Sequence, residues 1–382
     1  MAMASAPILP EELIMEILSW LSVKSLMRFR CVSKTWNSLI SDPYFVKSHL
    51  GRSSRNTQVM LRLKDLNDAA FTWLSFCSIH CLFQNPASTF HDNRQYRFDP
   101  FNFFMGSCNG LLCLHDSLPI DDCEEHRVHF WNPATRILSE SSPCLRLHSD
   151  FPRTHSCYMK FGFGYDDRSD TYKVVAIILD IRIRQMNVMV YGMGDTCWKN
   201  ILTCPSFFTF QQLGYHLNAT VNWLGISFQG GKCGTSANNE ILEILSYDLR
   251  TDTFRYLPVP DCIFEPPYFE PYLGVLNGCL CVSFDHKRTN FVALQLKEVR
   301  DETSWVRLLN VSYESLQINR HLYADVVILC IYGDVLLLAN YKHWEFILFN
   351  LKDNKVERTQ SFSNPDYRML SFEYVPSLLV PG

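Results

Sequence analysis

The chain has 382 residues, 47% hydrophobic and 14% aromatic, which leaves room for two or three domains and excludes a largely disordered polypeptide. A net charge of −4 supplies no basic field for nucleic acid or anionic lipid. The 15 cysteines are odd in number and scattered, which fits buried thiols in a reducing compartment rather than a disulfide scaffold.

Residues 9–50 read as short helices with more apolar side chains than so few residues can bury. Pro10 suits a first helical position, and Glu11 and Glu12 follow where the helix dipole favours negative charge. Leu13, Ile14, Ile17, Leu18 and Leu21 then recur as one apolar stripe. Ser22 and Ser33 are spaced to cap a second and a third helix, and Asp42-Pro43 to open a short turn. Surplus apolar surface at this size is either the seam to the rest of the chain or a docking face. No secretory signal is expected, because Glu11, Glu12 and Glu16 interrupt any apolar core. The two glycosylation-type triplets, at Asn218 and Asn310, are then read as chance.

This stretch resembles an F-box, the helical module that docks on the Skp-type adaptor of a cullin-RING ubiquitin ligase. The opening Leu9-Pro10, the stretch 26–32 and Trp36 carry the likeness in order and spacing. The resemblance implies that Leu9, Pro10, Leu26, Cys31, Val32 and Trp36 face the adaptor. Residues 51–57, GRSSRNT, read as a short linker that restricts how the two parts are oriented. The expected division is therefore a helical domain over 1–50, a linker over 51–57 and a second domain over 58–382.

The second domain reads as all-β with an internal period. Five hairpins begin at Val128, Val188, Ile244, Phe291 and Phe346, at intervals of 60, 56, 47 and 55 residues. A period of that size in a β-chain predicts a propeller. Between them lie more apolar hairpins, two of which turn on Asn109-Gly110 and Asn277-Gly278, with Gly333-Asp334 in an equivalent place. One hairpin of each kind makes a four-stranded blade. A sixth blade would be closed by 58–98 and the strand from Met369, which would remove exposed sheet edges. The fold class expected is α+β multidomain, a helical module followed by a propeller of six blades, with seven as the alternative.

SCNGLLCL, FWNPATR, GFGYDDRSDTYKVV, LNATVNWLG and ILSYDLRTDTFRYLP, in that order, resemble the F-box-associated domain of the large plant F-box family, a domain described as kelch-like. LNATVNW places Ala219 where a glycine is commoner, and no blade carries the double glycine of a true kelch repeat. The propeller expectation therefore rests on periodicity.

Links within hairpins fall on one face of a propeller, and links between hairpins and between blades on the other. The longer links here, 116–127, 141–156, 229–240 and 260–272, all belong to the second face, which is the expected target-binding face. Phe264, Tyr268, Phe269 and Tyr272 are the aromatic candidates for that contact, with Phe151, Phe207 and Phe208 beside them.

Catalytic chemistry is not written in the chain. The 12 histidines are dispersed, and neither a nucleophile elbow nor a phosphate-binding glycine loop occurs. His115, His126 and His129 come nearest to a cluster and are expected exposed or in loop hydrogen bonds. Cys279 with Cys281, and Cys77 with His80 and Cys81, are only fragments of a metal-site spacing, so no cofactor is expected and the thiols read as small hydrophobes. The apolar run 326–339 is interrupted by Gly333-Asp334 and too short to span a bilayer.

Together the resemblance and the residues imply a non-catalytic substrate-recognition subunit of a Skp–cullin–F-box ubiquitin ligase. It would reach cullin and RING subunits through the adaptor and hold a target protein on the propeller, in the cytoplasm, the nucleus or both. The alternative is an adaptor-bound scaffold that directs no proteolysis.

Overall fold

A computed structural model describes residues 9–53, 57–65, 72–84, 96–98, 103–121, 123–148, 159–180, 185–205, 207–209, 211, 213–228, 240–260, 270–298, 304–318, 326–341, 343, 345–359 and 367–381. Four helices come first: α1 (Glu11–Leu18), α2 (Val23–Phe29), α3 (Lys34–Ser41) and α4 (Pro43–Ser53). Their starts are set locally. The Ser22 hydroxyl accepts from Ser25 N at 3.3 Å, Ser33 from Trp36 N at 3.2 Å, and Asp42 Oδ1 from the Tyr44 and Phe45 amides at 2.9 and 3.1 Å.

Two expectations need correction here. Asp42-Pro43 opens an 11-residue helix rather than a short turn. That helix runs to Ser53, so the first three residues assigned to the linker are helical. Side-chain anchoring holds this end in place: Arg52 reaches Glu16 at 2.8 Å and bonds the Ser19 hydroxyl, and the Ser53 hydroxyl donates to His49 O at 2.9 Å.

Among the described residues the β-domain forms six antiparallel blades. Blade 1 comprises Phe103–Cys108, Leu111–Ile120, Cys123–Asn132 and Ile137–Leu138, with Leu145–His148 added on the third strand. Blade 2 is Met159–Asp166, Thr171–Asp180, Gln185–Gly192 and Lys199–Pro205. Blade 3 is Leu213–Leu217, Thr220–Phe228, Glu240–Asp248 and Thr253–Pro258, with Phe207–Thr209 beside its second strand. Blade 4 is Tyr272–Leu276, Cys279–His286, Asn290–Leu296 and Trp305–Ser312. Blade 5 is Val326–Tyr332, Val335–Asn340, Glu345–Asn350 and Val356–Arg358. Blade 6 takes its inner strand, Tyr367–Tyr374, from the far end of the chain, and its others, Gln58–Asp65, Thr72–Ser78 and Tyr96–Phe98, from directly after the helices. The expected closure by both ends of the domain is thus the one observed.

The inner strands touch in a ring around a central axis, each against its neighbour and blade 6 against blade 1. Between blades 2 and 3 the approach is close enough for a short parallel pairing, Leu213 with Phe161 and Gly214 with Gly162. A Cβ on either glycine would fall within 2.6 Å of Val221 or Trp223 side-chain atoms, so only glycine admits the Trp223 ring, whose Nε1 donates to Phe161 O at 3.2 Å.

Each inner strand starts on the face carrying the links between blades and ends on the face of the tight hairpin turns. The helices pack against the face of the hairpin turns. After Tyr374 the chain crosses it, and Leu378 enters the helical core formed by Leu18, Val23, Leu26, Ile40 and Phe45. Ala134, in a turn of blade 1, borders the same core, and Lys47 meets Asp170, in a turn of blade 2, at 2.7 Å.

Candidate functional site

Two surfaces carry the functional expectations, one on the helices and one on the opposite face of the propeller.

On the helices, the apolar stripe of α1 divides. Ile14, Leu18 and Leu21 turn inward to the core. Leu13 and Ile17 face solvent at 51% and 56% exposure, and Trp20, seven positions after Leu13, continues their face beyond the helix end. Trp20 is held from beneath: its Nε1 donates to Glu16 Oε1 at 3.2 Å and the Arg52 guanidinium lies 4.9 Å from its ring.

The six adaptor candidates separate in the same way. Leu9, Pro10, Cys31 and Val32 are exposed, Val32 at 66%. Trp36 is half-buried, edge-on to Phe29 with ring centroids 5.3 Å apart. Leu26 does not belong with them, because it is wholly buried among α1, α3, α4 and Leu378. It lies on the inward face of α2, and a leucine there fills the core rather than meeting a partner. Leu13, Ile17 and Trp20 are exposed apolar residues that sequence reasoning left out of the set. Their signal was already in the i, i+4, i+7 spacing, but spacing alone does not say which edge of a wide stripe is inward.

On the propeller, Phe264, Tyr268 and Phe269, with Phe151 and most of 229–240, lie outside the described residues. Tyr272 is half-buried and lines the central channel, while Phe208 is exposed on the added strand of blade 3 and Phe207 is buried. The segment 116–127 is not a loop. Its two strands stay paired out to Ile120 opposite Cys123, forming a ribbon at the mouth of the channel. Pairing satisfies backbone groups that a long loop would leave to water.

That ribbon also corrects the reading of the histidines. His115 and His126 are buried and bonded to each other, Nε2 to Nδ1 at 3.0 Å. Burial, and then the neighbouring His126, pushes the His115 imidazole down to about 3, and burial likewise lowers His126, so both stay neutral near pH 7. His129 lies 3.4 Å from Asp116.

The axis itself is a cavity of about 1110 Å³. At the helix side, Val375 lines its end, and Phe103 and Glu270 line it at the opposite mouth. The buried thiols of Cys77 and Cys281 are pushed up to about 12 by burial and so stay protonated near pH 7.

Comparison with known proteins agrees with this architecture. The F-box domain family matches residues 7–48, and the F-box associated beta propeller domain family matches residues 72–380. An F-box/kelch-repeat protein of Arabidopsis thaliana is 30% identical over 313 residues, covering 79% of each chain. A putative F-box protein of the same plant is 24% identical over 375 residues, covering 92% of this chain and 87% of that one. Among solved structures, the β-propeller domain of the Trilobed protease from Pyrococcus furiosus aligns with a TM-score of 0.38 at 8% identity, over 68% of this chain and 71% of that one. On the strength of the two domain matches and the Arabidopsis relatives, this chain belongs to the F-box family, as a helical F-box followed by an F-box associated β-propeller domain.

Proposed function

We propose that this chain is the substrate-recognition subunit of a Skp–cullin–F-box ubiquitin ligase, with the F-box on the adaptor and the propeller on a target protein. The observation that carries the reading is the divided helix α1. One edge completes a core with Leu378, while Leu13 and Ile17, beside Leu9 and Trp20, remain exposed away from that core. A row of exposed leucine, isoleucine and tryptophan on so small a unit is the composition of an interface centre.

The division of faces supports the same reading. The F-box attaches at the hairpin-turn face through Leu378 and Lys47, leaving the channel mouth and the longer links on the other side. The chain's contribution to ubiquitin transfer is then proximity: a firmly held receptor raises the effective concentration of target lysines near the charged conjugating enzyme. This chain forms no covalent bond to ubiquitin in that scheme, and it works in the cytosol, the nucleus or both, where such ligases act.

The test is reconstitution of the full chain with a Skp-type adaptor, cullin and RING subunit, together with target half-life in cells with and without the chain. Stable assembly and a shortened target half-life are expected. Adaptor binding without any target turnover would favour a non-proteolytic scaffold, and failure to bind the adaptor would overturn the reading.

A further inference from the structure

The channel on the propeller axis is built with an unequal charge. Among the described lining residues the carboxylates are Glu124, Glu270 and Glu373, and the only strong cation is Arg62. The lining histidines do not redress this. Burial holds His115, His126 and His216 below their ordinary range, so they are neutral near pH 7.

Glu373 lines the channel one residue before the end of the inner strand of blade 6, towards the hairpin-turn face. Its side chain is exposed to the channel, and the crowding of protein around the strand holds its carboxyl above the usual range. No hydrogen bond or ion pair to it is found among the described residues. A carboxylate open to the channel and without a protein partner is free to take a charge-assisted bond from an incoming cation.

The walls between mouth and floor are aromatic. Phe104 and Phe372 pack with centroids 4.4 Å apart, and Phe161, Tyr215 and Tyr272 complete the lining from blades 2, 3 and 4. Such faces attract guanidinium and ammonium groups. The channel lining already shows such a contact, since the Arg62 guanidinium lies 5.9 Å from the ring of Phe103. Nearer the mouth, His126 is only 6% exposed and its Nε2 has no partner. A buried polar atom left open beside a cavity is a further place for an incoming group to bond.

We propose that the channel receives a basic side chain, an arginine or lysine on an exposed segment of the captured protein, with its cationic end directed to Glu373. This deepens the receptor reading and rests on it. The aromatic rings pack along the aliphatic stem, and the carboxylate takes the charge.

The experiment uses the full chain bound to its adaptor. Binding of the capped peptide Gly-Gly-Arg-Gly-Gly is compared, by NMR titration, with the same peptide carrying neutral citrulline. The arginine peptide is expected to bind about tenfold tighter, since a charge-assisted bond to a carboxylate is of that order or stronger. Glu373→Gln should remove most of that preference while leaving adaptor binding unchanged. The peptide pair on the unaltered protein decides the matter even if the variant folds poorly. Equal binding of the two peptides, or of neither, would overturn the proposal. Butylguanidinium serves as the second probe: its binding without the peptide's would assign the channel to a small free cation and equally overturn it. Adaptor association in the same samples reports separately on the ligase reading.

Discussion

Asn132 and Leu379 are 247 positions apart, yet the Asn132 side-chain amide donates to the Leu379 carbonyl at 2.7 Å. The same nitrogen donates to Ser377 O at 3.0 Å, while Oδ1 accepts from the Ala134 amide at 2.9 Å. One buried amide thus fixes the turn between the third and fourth strands of blade 1 and the segment that carries Leu378 into the F-box core. This fastening, with the Lys47–Asp170 pair beside it, keeps the relative orientation of the recognition and docking modules defined.

Asn132→Ala should therefore loosen both modules. Several buried groups lose their partner at once, at about 1–3 kcal/mol for each left unsatisfied. Leu378→Ala should act on the helices directly, in the range of about 2–5 kcal/mol for an emptied core leucine site. Hydrogen exchange in the F-box helices is the measurement, with faster exchange expected in both variants. Protection equal to the parent protein would show that the segment only rests on the helices.

Gly110 bears on the same fastening. Its φ is +83°, and a Cβ there would lie 2.4 Å from Ser377 Oγ and 2.6 Å from Val375 O. Gly110→Ala is expected to push the segment off the propeller and to reproduce the exchange pattern of Asn132→Ala. A variant with unchanged exchange would contradict the close approach.

Much of this fold was legible because its signals are local. Ser22, Ser33 and Asp42 cap helices through atoms two or three residues away, and Asn109-Gly110 and Asn277-Gly278 both adopt the positive φ that tight hairpins need. The hairpin period follows from apolar runs and turn residues, and the closure of blade 6 from the two end segments that the five other blades leave over. Other features depend on residues distant in sequence. Whether Leu26 faced inward turned on Leu378, and nothing periodic marks 375–381 as part of another module's core. The ribbon 116–127 resembled a loop because Pro119 and Asp121 punctuate it, but its cross-strand partners carry the pairing through. The His115–His126 bond requires knowing that register.

Ala219 offers a stabilising substitution. It sits at φ 58° after Asn218 at φ 47°, the conformation glycine adopts in the equivalent turns of blades 1 and 4. A Cβ in the left-handed region is unfavourable by about 1–2 kcal/mol. Ala219→Gly should recover up to about 1 kcal/mol of this, less what the more flexible unfolded chain takes back. Urea denaturation checks the sign, and a lowered midpoint would refute the account.

The buried histidines should lower stability on mild acidification. His115 titrates near 6.5 in the unfolded chain and near 3 when folded, so between those values the unfolded state binds a proton that the folded state refuses. This contribution is intact above about pH 6.5 and is lost progressively as pH drops towards 3. His49, His126 and His216 are lowered in the same direction, whereas the depressed carboxyl of Asp166, at about 2, matters only at lower pH. His115→Gln should remove about one proton from the linkage between pH 5 and 6.5, a slope change approaching 1.4 kcal/mol per pH unit. Urea unfolding at several pH values reads it, and parallel pH profiles for parent and variant would rule it out.

The two kinds of F-box leucine and valine should behave oppositely. Val32 is 66% exposed and Leu26 wholly buried, though both stood in the docking set implied by resemblance. Val32→Ser and Ile17→Ser remove exposed apolar contact, so each should weaken adaptor binding, by about 2 kcal/mol if it is an interface anchor, with little change in thermal stability. Leu26→Ala should instead destabilise the helices by about 2–5 kcal/mol and weaken adaptor binding only through that loss. Lowering the temperature separates the two: binding by Leu26→Ala should recover as its helices refold, whereas Val32→Ser and Ile17→Ser should stay impaired. Full adaptor affinity in Ile17→Ser at every temperature would mean that the exposed face of α1 is not where the adaptor sits.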